Sequence, residues 1–306
     1  MGASASAFAS LGRASGVPES PWPGGAPFGL ALTHDVDRIR KTYHYVTFLR
    51  KRSGWRQLVT RTPGGSPYWN FGRIMALERS FGVRSTFLFI EESRGIGPRP
   101  LDWVLALGKY KFADDRIAGV IQTLDKEGWE VGLHGSYDSF RDESKLRTEK
   151  RHLEDVLGHP VAGIRQHFLN LDVPATWALH RKVGLEYDCT LGFRDRVGFQ
   201  GLPLFPFAPF QDAFLAVPMA VMDTALFSSA PSEARARRRI EEIVEEATRS
   251  HALLVVLWHQ NLLNGHEFPR EYRTYESLLG LARRRGAWIV PAGEVAAWWR
   301  REDPLA

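Results

Sequence analysis

The chain has 306 residues, 44% of them hydrophobic and 25% charged, with a formal charge of +5. That balance belongs to a soluble globular protein of one large or two ordinary domains, and it excludes a disordered chain, a collagen and a disulfide-stapled miniprotein. A single cysteine, Cys189, permits neither an internal disulfide nor a cysteine-built zinc site, so a metal would have to be held by His, Asp or Glu.

The basic excess is dispersed rather than gathered on one tail. Arg235, Arg237, Arg238 and Arg239 run straight into Glu241, Glu242, Glu245 and Glu246, the pattern of a solvated helix laced with i,i+4 pairs. With no stacking-platform motif beside this charge, no nucleic-acid partner is expected, while an acidic or phosphorylated substrate stays compatible with it. No segment reaches the roughly 18 uninterrupted apolar residues of a membrane span. The opening MGASAS meets the loose myristoylation pattern, as short small-residue stretches do by chance, and the stretch after it lacks the apolar block of a secretory signal. A cytoplasmic protein is expected.

Residues 1–25, rich in Ala, Ser, Gly and Pro, read as a flexible tail, and residues 26–306 as one domain. Strand character begins with the apolar run 28–33 and ends in His34-Asp35-Val36-Asp37. A helix over 71–81 stops at Gly82 and leads to a strand over 83–90. A helix over 116–127, halted by Gly128, precedes the strand 130–133, which closes on His134. The amphipathic stretch 142–157 predicts a helix ending at Gly158, followed by a strand over 161–164 that runs into Arg165-Gln166-His167. Next come a helix over 175–183, short strands over 187–190 and 215–222, and the longest helix, 232–250. The run 252–258 is the clearest buried strand, followed by a helix over 274–285, a strand over 288–290 and a terminal helix. Strands alternating with helices predict an α/β fold on a parallel sheet, open or closed into a barrel.

Polar residues recur just past these strands: Asp35 and Asp37, His134 and Asp138, Arg165 and His167, Asp223, and His259. Reactive groups at the C-terminal ends of parallel strands are how α/β barrels build active sites. The histidines at 44, 152, 159, 180, 251 and 266 fall in helices or loops and are expected to face solvent. Asp35 and Asp37, two apart in extended chain, face one side. Two close carboxylates raise each other's pKa unless a cation lies between them, so one can bind a metal while the other takes a proton from water; a turn or N-cap role is the alternative. His134 and Asp138 share a face if the chain turns helical after the strand, and with Asp37 they make a set suited to a catalytic divalent ion. Asp223 is expected to fix Arg165 or Arg194. The aromatic stretch 198–210 suits either a sugar-cleft floor or a lid packed on the rim, and Trp298-Trp299 suits packing.

The order of these motifs resembles the polysaccharide deacetylases of the NodB-homology, carbohydrate esterase family 4 group. The likeness is greatest to the branch found in bacterial surface-polysaccharide gene clusters. It runs over about residues 28–295, through Leu32-Thr33-His34-Asp35-Val36-Asp37 and Gly132-Leu133-His134-Gly135-Ser136-Tyr137. The resemblance implies an irregular (β/α)7 barrel, TIM-barrel-like, in a single catalytic domain. It implies Asp35 as catalytic base, Asp37 and His134 as metal ligands, Arg165 orienting the base, and His259, in Val256-Leu257-Trp258-His259, as acid. Where the family's second motif ends in a second histidine, this chain has Asp138. Asp138 is therefore expected as third ligand on spacing, with His167 as the substitute, and Tyr137 and Trp258 are expected at the substrate.

The cofactor implied is one divalent ion, Zn2+ first, with Co2+ or Ni2+ as alternatives. The activity implied is hydrolysis of the N-acetyl group of an amino sugar in a polysaccharide or its precursor. Two rivals stay open: a hydrolase of another non-peptide C–N amide, as in allantoinase-like relatives, and a catalytically silent carbohydrate-binding relative. The sequence carries no signature of oligomeric state.

Overall fold

A computed structural model describes residues 20–41, 66–91 and 109–302. Its organising element is β1, Gly29–Val36, whose eight residues are all buried. A strand buried on both faces belongs at the centre of a covered parallel sheet, and β1 lies there. Residues 33–36 pair with β2 (Thr86–Phe89), residues 29–33 pair with β8 (Leu253–Leu257), and β9 (Trp288–Val290) pairs with residues 29–31. From β2 the sheet continues in parallel through β3 (Glu130–Gly135), β4 (Gly163–Gln166), β5 (Tyr187–Asp188) and β6 (Leu215–Ala216), and β7 (Val221–Met222) flanks β8.

The stretch 215–222, expected as one strand, is split around Pro218, which cannot donate to a ladder. Its first half pairs with β5 and its second half with β8. Backbone bonds from Val217 to Asp188, Met219 to Leu191 and Ala220 to Val255 carry it across the gap between those two strands. It serves as the seventh stave and curls the sheet towards closure, so the architecture is the expected irregular (β/α)7 barrel in a single domain.

Eight helices accompany the sheet among the described residues: α1 (Phe71–Ser80), α2 (Asp115–Lys126), α3 (Glu143–Leu157), α4 (Ala175–Lys182), α5 (Asp223–Ser229), α6 (Glu233–Ser250), α7 (Pro269–Arg284) and α8 (Ala292–Glu302). Their ends follow local chemistry. Asp142 caps α3 by accepting from the Lys145 N–H at 3.0 Å, and Gly158 ends it in the left-handed conformation. Ser232 caps α6 in the same way. α7 begins five residues earlier than the periodicity suggests, because Pro269 at its first turn favours initiation. α5 has no counterpart in the sequence reading. None of the described helices is long and apolar enough to cross a membrane.

Period-two alternation sorts β1 into two faces. Leu30, Leu32 and Val36 join the apolar layer between sheet and helices, whereas Ala31 packs inside the barrel with Val255 and Leu257. Thr33 and Asp35 continue the inward face. His34 points outward, with Nδ1 2.8 Å from the Trp258 carbonyl and Nε2 2.9 Å from Glu78 Oε1. Glu78 on α1 is fully buried and also accepts from Ser85 Oγ (2.8 Å), Trp129 Nε1 (2.6 Å) and Tyr275 Oη (2.8 Å). One carboxylate thus ties α1, α7 and the starts of β2 and β3 to β1.

Other residues depart from expectation. Trp22, placed in the tail by composition, is buried against Trp288, Trp299 and Phe205 and donates from Nε1 to the His251 carbonyl. Residues 1–19 lie outside the described residues, as does His44. His180, expected in solvent, is fully buried between Asp188 and Gln166. The stretch 198–210 is a packed segment: Phe199 is in the core, Phe205 stacks on Trp299 and Phe207 meets Trp177 edge-on. Trp298 packs on Trp288.

Glu78→Ala leaves the Ser85, Trp129 and Tyr275 donors and the His34 ring facing an empty site, so it should lower unfolding free energy by about 3–5 kcal/mol. Urea unfolding checks this, and a loss below about 1 kcal/mol would mean that water replaces the carboxylate.

Candidate active site

The C-terminal ends of β1, β3, β4 and β8 bring the polar residues together. Beyond β1, Asp37 keeps the inward phase of Asp35. In the β3–β4 ladder His134 is paired with Arg165, so His167, two residues on and in the phase of Arg165, reaches the same mouth. Asp37, His134 and His167 each offer a donor atom, all within 4.8 Å of one another. Asp37 Oδ1 lies 3.2 Å from His134 Nε2 and 3.9 Å from His167 Nε2.

The bonding of His134 bears on what fits between these atoms. Its Nδ1 lies 2.8 Å from the Arg165 carbonyl. A carbonyl only accepts, so Nδ1 carries a hydrogen, and Nε2 is the ring atom turned towards the carboxylate. Asp37 Oδ1 is buried and makes no hydrogen bond. An imidazole nitrogen and a carboxylate oxygen facing each other at this distance are held together by a proton or by a cation between them. Two imidazoles and a carboxylate, with a backbone carbonyl orienting one ring, form a donor set for a divalent metal, and the residues present fit one. The carboxyl of Asp37 is held far below the ordinary range: burial opposes ionisation, but His167, His134 and His259 outweigh it. His134 shifts the other way: burial disfavours its charged form, yet Asp35 and Asp37 raise its pKa.

Two further groups flank this cluster. Asp35, nearly fully buried, accepts from Arg165 Nη1 at 2.7 Å through Oδ1, and its Oδ2 lies 3.6 Å from His134 Nε2. Arg165 is itself wholly buried, donating also to Thr33 Oγ1 (2.9 Å) and the Cys189 carbonyl (3.0 Å). Burial would raise the Asp35 pKa, but the guanidinium, helped by His134 and His259, brings it below the usual value. His259, just past β8, places Nε2 3.6 Å from Asp37 Oδ2 and Nδ1 2.9 Å from both oxygens of Asp223. Asp223 is fully buried at the start of α5 and also accepts from the His259 backbone N–H. Burial works against the charged imidazole, yet Asp223 outweighs it and the pKa is pushed up to about 10.

Asp35, Asp37, His134, Arg165, His167 and His259 therefore converge, and two expected residues do not. Asp138 stands outside the donor cluster, 3.9 Å from Lys145. The chain after β3 does not turn into an α-helix; Asp138 precedes a single 3-10 turn, Ser139–Arg141, and the i,i+4 geometry never forms. Trp258 is fully buried in the outer core against Phe227 and Tyr275, because the alternation that sends His259 to the mouth sends its neighbour outward. Tyr137 is 39% exposed at the rim. Asp223 holds His259 rather than an arginine, while Arg194 donates to Asn170. Glu149 escaped the sequence reading: buried on α3, it accepts from both the backbone N–H and the hydroxyl of Ser136 and so anchors the turn after His134.

Imidazoles, carboxylates and a buried arginine are thus gathered at the strand ends, where α/β barrels place their active sites. The fold is that of the polysaccharide deacetylases, the NodB-homology or family 4 type. It is shared with a Mycobacterium smegmatis protein named as a polysaccharide deacetylase, at TM-score 0.62 and 18% identity over 92% of this chain and 93% of that one. A second protein so named, from Pseudomonas aeruginosa PAO1, aligns at TM-score 0.63 and 14% identity over 94% and 95%. Puue allantoinase aligns at TM-score 0.62 and 15% identity over 95% and 96%. No family model matches the sequence, and no curated protein matches it.

Dialysis against zinc should load about one equivalent in the native protein and in Asp138→Ala. His167→Ala should bind at least about 100-fold more weakly, more than the 10–100-fold typical of losing a residue behind a ligand. The opposite order of the two variants would restore Asp138 as the third ligand.

Proposed function

We propose that this chain is a metal-dependent hydrolase that removes the acetyl group from an N-acetylated amino sugar. The observation that carries the reading is the pairing of two differently tuned groups around one donor cluster. Asp35 is kept ionised by Arg165, and His259 is kept protonated by Asp223. Amide hydrolysis needs a base for the attacking water and an acid for the departing amine, with pKa values set apart.

Asp37, His134 and His167 would hold the ion, Zn2+ first among the candidates. When bound, such an ion supplies a Lewis acid for the acetyl carbonyl and makes water a better nucleophile at neutral pH. Asp35 takes a proton from the attacking water through Oδ2, the oxygen that faces His134. Arg165 holds the other oxygen and fixes the orientation of the carboxylate. His259 delivers the proton from Nε2 to the leaving nitrogen, while Asp223 keeps Nδ1 protonated and the ring aimed. Asp223 stabilises the imidazolium without needing to take a proton itself.

A carbohydrate is favoured by two exposed aromatic rings, Phe168 against His167 and Tyr137 against Phe168. A second reading, hydrolysis of another non-peptide amide, is supported by the equal fold likeness to an allantoinase. A cytoplasmic setting would favour a polysaccharide precursor over a finished polymer as the substrate.

Acetate release from N-acetylated sugars, set beside ammonia release from ureides, separates the two readings. In whichever assay responds, Asp35→Asn and His259→Ala should each lower kcat by roughly 100-fold or more, with His259→Ala keeping its metal. Near-normal turnover in either variant removes that residue from the mechanism.

The Asp223→Asn protein gives a test with a sign. A histidine whose pKa is raised stays protonated, and competent as an acid, until the pH climbs through that pKa. Removing the Asp223 charge lets the pKa of His259 fall towards its ordinary value of about 6.5, so the alkaline limb of the kcat profile should move to lower pH. The acidic limb, belonging to Asp35, should move less. An unmoved alkaline limb would assign it to another group.

A further inference from the structure

Along the sheet β2 stands between β1 and β3, yet among the described residues it sends no donor to the cluster at the strand ends. Asp37, on the chain leaving β1, reaches past the end of β2 to lie 3.2 Å from His134 on β3. How β1 and β2 separate therefore sets where Asp37 stands.

They separate around a side chain. Val36 is paired with Phe89, so the next rung of a parallel ladder would run from the Ile90 N–H to the Val36 carbonyl. Instead the Ile90 N–H donates to the Tyr110 hydroxyl at 3.0 Å, and that hydroxyl donates to the Val36 carbonyl at 2.5 Å. One oxygen atom occupies the rung. On the other side of β1 the ladder closes directly, with the Trp258 N–H donating to the Thr33 carbonyl at 2.9 Å just past β8. The Val36 carbonyl and the Asp37 N–H belong to one planar peptide, so a grip on the carbonyl fixes the direction in which Asp37 leaves the strand.

The Tyr110 ring is itself held in place. It is buried, meets Phe89 edge-on with centroids 6.4 Å apart, and lies 6.4 Å from Phe112. The Phe112 N–H donates to Glu91 Oε1 at 3.2 Å, and Glu91 Oε2 lies 2.5 Å from His152 Nδ1 on α3. The segment carrying Tyr110 is thus tied back to the residue that follows Ile90. Packing alone does not call for the hydroxyl, because a phenylalanine ring fills the same space and leaves the two backbone groups free to bond to each other.

We propose that Tyr110 is a positioning residue of the metal centre, its hydroxyl holding the peptide between Val36 and Asp37 where the Asp37 carboxylate meets His134 and His167. The inference rests on the metal reading of that cluster and adds a residue that touches neither metal nor substrate. Without the hydroxyl, the Ile90 N–H and the Val36 carbonyl draw together into a direct rung, and Asp37 turns away from the two imidazoles. Stability and metal affinity then respond differently to one substitution.

The test is the zinc affinity of the full chain, measured by competition with a chromogenic chelator, beside visible spectra of the cobalt-loaded protein and thermal melts without metal. Tyr110→Phe should melt within about 4 °C of the native protein, because a direct rung replaces the relayed one. It should bind zinc about 10- to 100-fold more weakly and show altered cobalt d–d bands. Tyr110→4-aminophenylalanine, which restores a donor at the same place, should recover zinc affinity to within about threefold of native. Tyr187→Phe is the control, since the buried Tyr187 hydroxyl donates to Glu130 Oε1 at 2.7 Å at the opposite, N-terminal ends of the strands. Its loss should lower the melting temperature yet leave zinc affinity within about threefold of native.

Native zinc affinity in Tyr110→Phe, a loss that the amine does not recover, or an equal loss in Tyr187→Phe would overturn this inference and leave the metal reading standing. Failure of Tyr110→Phe to fold would do the same, by making the hydroxyl a tie for the whole fold. A native chain that takes up no zinc would sink the metal reading itself, and this inference with it.

Discussion

The structure turns on a guanidinium that has no access to water. Arg165 projects from β4 into the barrel and finds partners on two neighbouring elements: Thr33 and Asp35 on β1, and the Cys189 carbonyl just past β5. A lone buried charge of either sign would cost several kcal/mol, so neither Arg165 nor Asp35 is tolerable without the other. Their pairing draws β1 and β4 together across the barrel interior. The same contact settles the ionisation of Asp35, because the guanidinium overcomes the burial that would protonate it. Fold and chemistry draw on one interaction, and the carbonyl of that same arginine orients His134.

The alternation of β1 distributes two polar systems to its two faces. Inward residues Thr33 and Asp35, then Asp37, build the site; outward His34 enters the Glu78 network and contacts the Trp258 carbonyl. That carbonyl belongs to the residue before His259, so the strand bearing the proposed base and the strand bearing the proposed acid are bonded to each other immediately beneath the site. The Trp258 backbone N–H donating to the Thr33 carbonyl makes the same connection from the ladder side. The separation of Asp35 and His259 is therefore fixed by strand pairing, as positioned proton transfer between the two proposed groups would demand.

What the sequence disclosed and what it hid follow from the range of the interactions involved. Strand and helix periodicity, Gly stops and strand-end polar residues are local, and they foreshadow the parallel barrel and the convergence of Asp35, Asp37, His134, Arg165 and His259. The placement of Asp138 hinged on whether the chain after β3 continued as an α-helix, and one 3-10 turn decided against it. His167, held in the sequence only as the substitute for Asp138, arrives by strand pairing, whose register one chain read alone does not fix. Asp223 meets His259 only because a proline splits residues 215–222 across the barrel seam, delivering the start of α5 beneath β8. The burial of Trp258 was readable in principle, since alternation from an inward His259 sends it outward. Phe168 carried no signal at all: nothing local announces a phenylalanine in the left-handed conformation.

The central claim is that Asp37, His134 and His167 together make a metal centre, and X-ray absorption at the zinc edge of the loaded protein tests it most directly. The account predicts a nearest-neighbour shell of nitrogen and oxygen at about 2.0–2.2 Å, with outer-shell scattering from two imidazole rings and none from sulfur. Scattering from a single imidazole, or a fully hydrated ion with no ring signal, would contradict it.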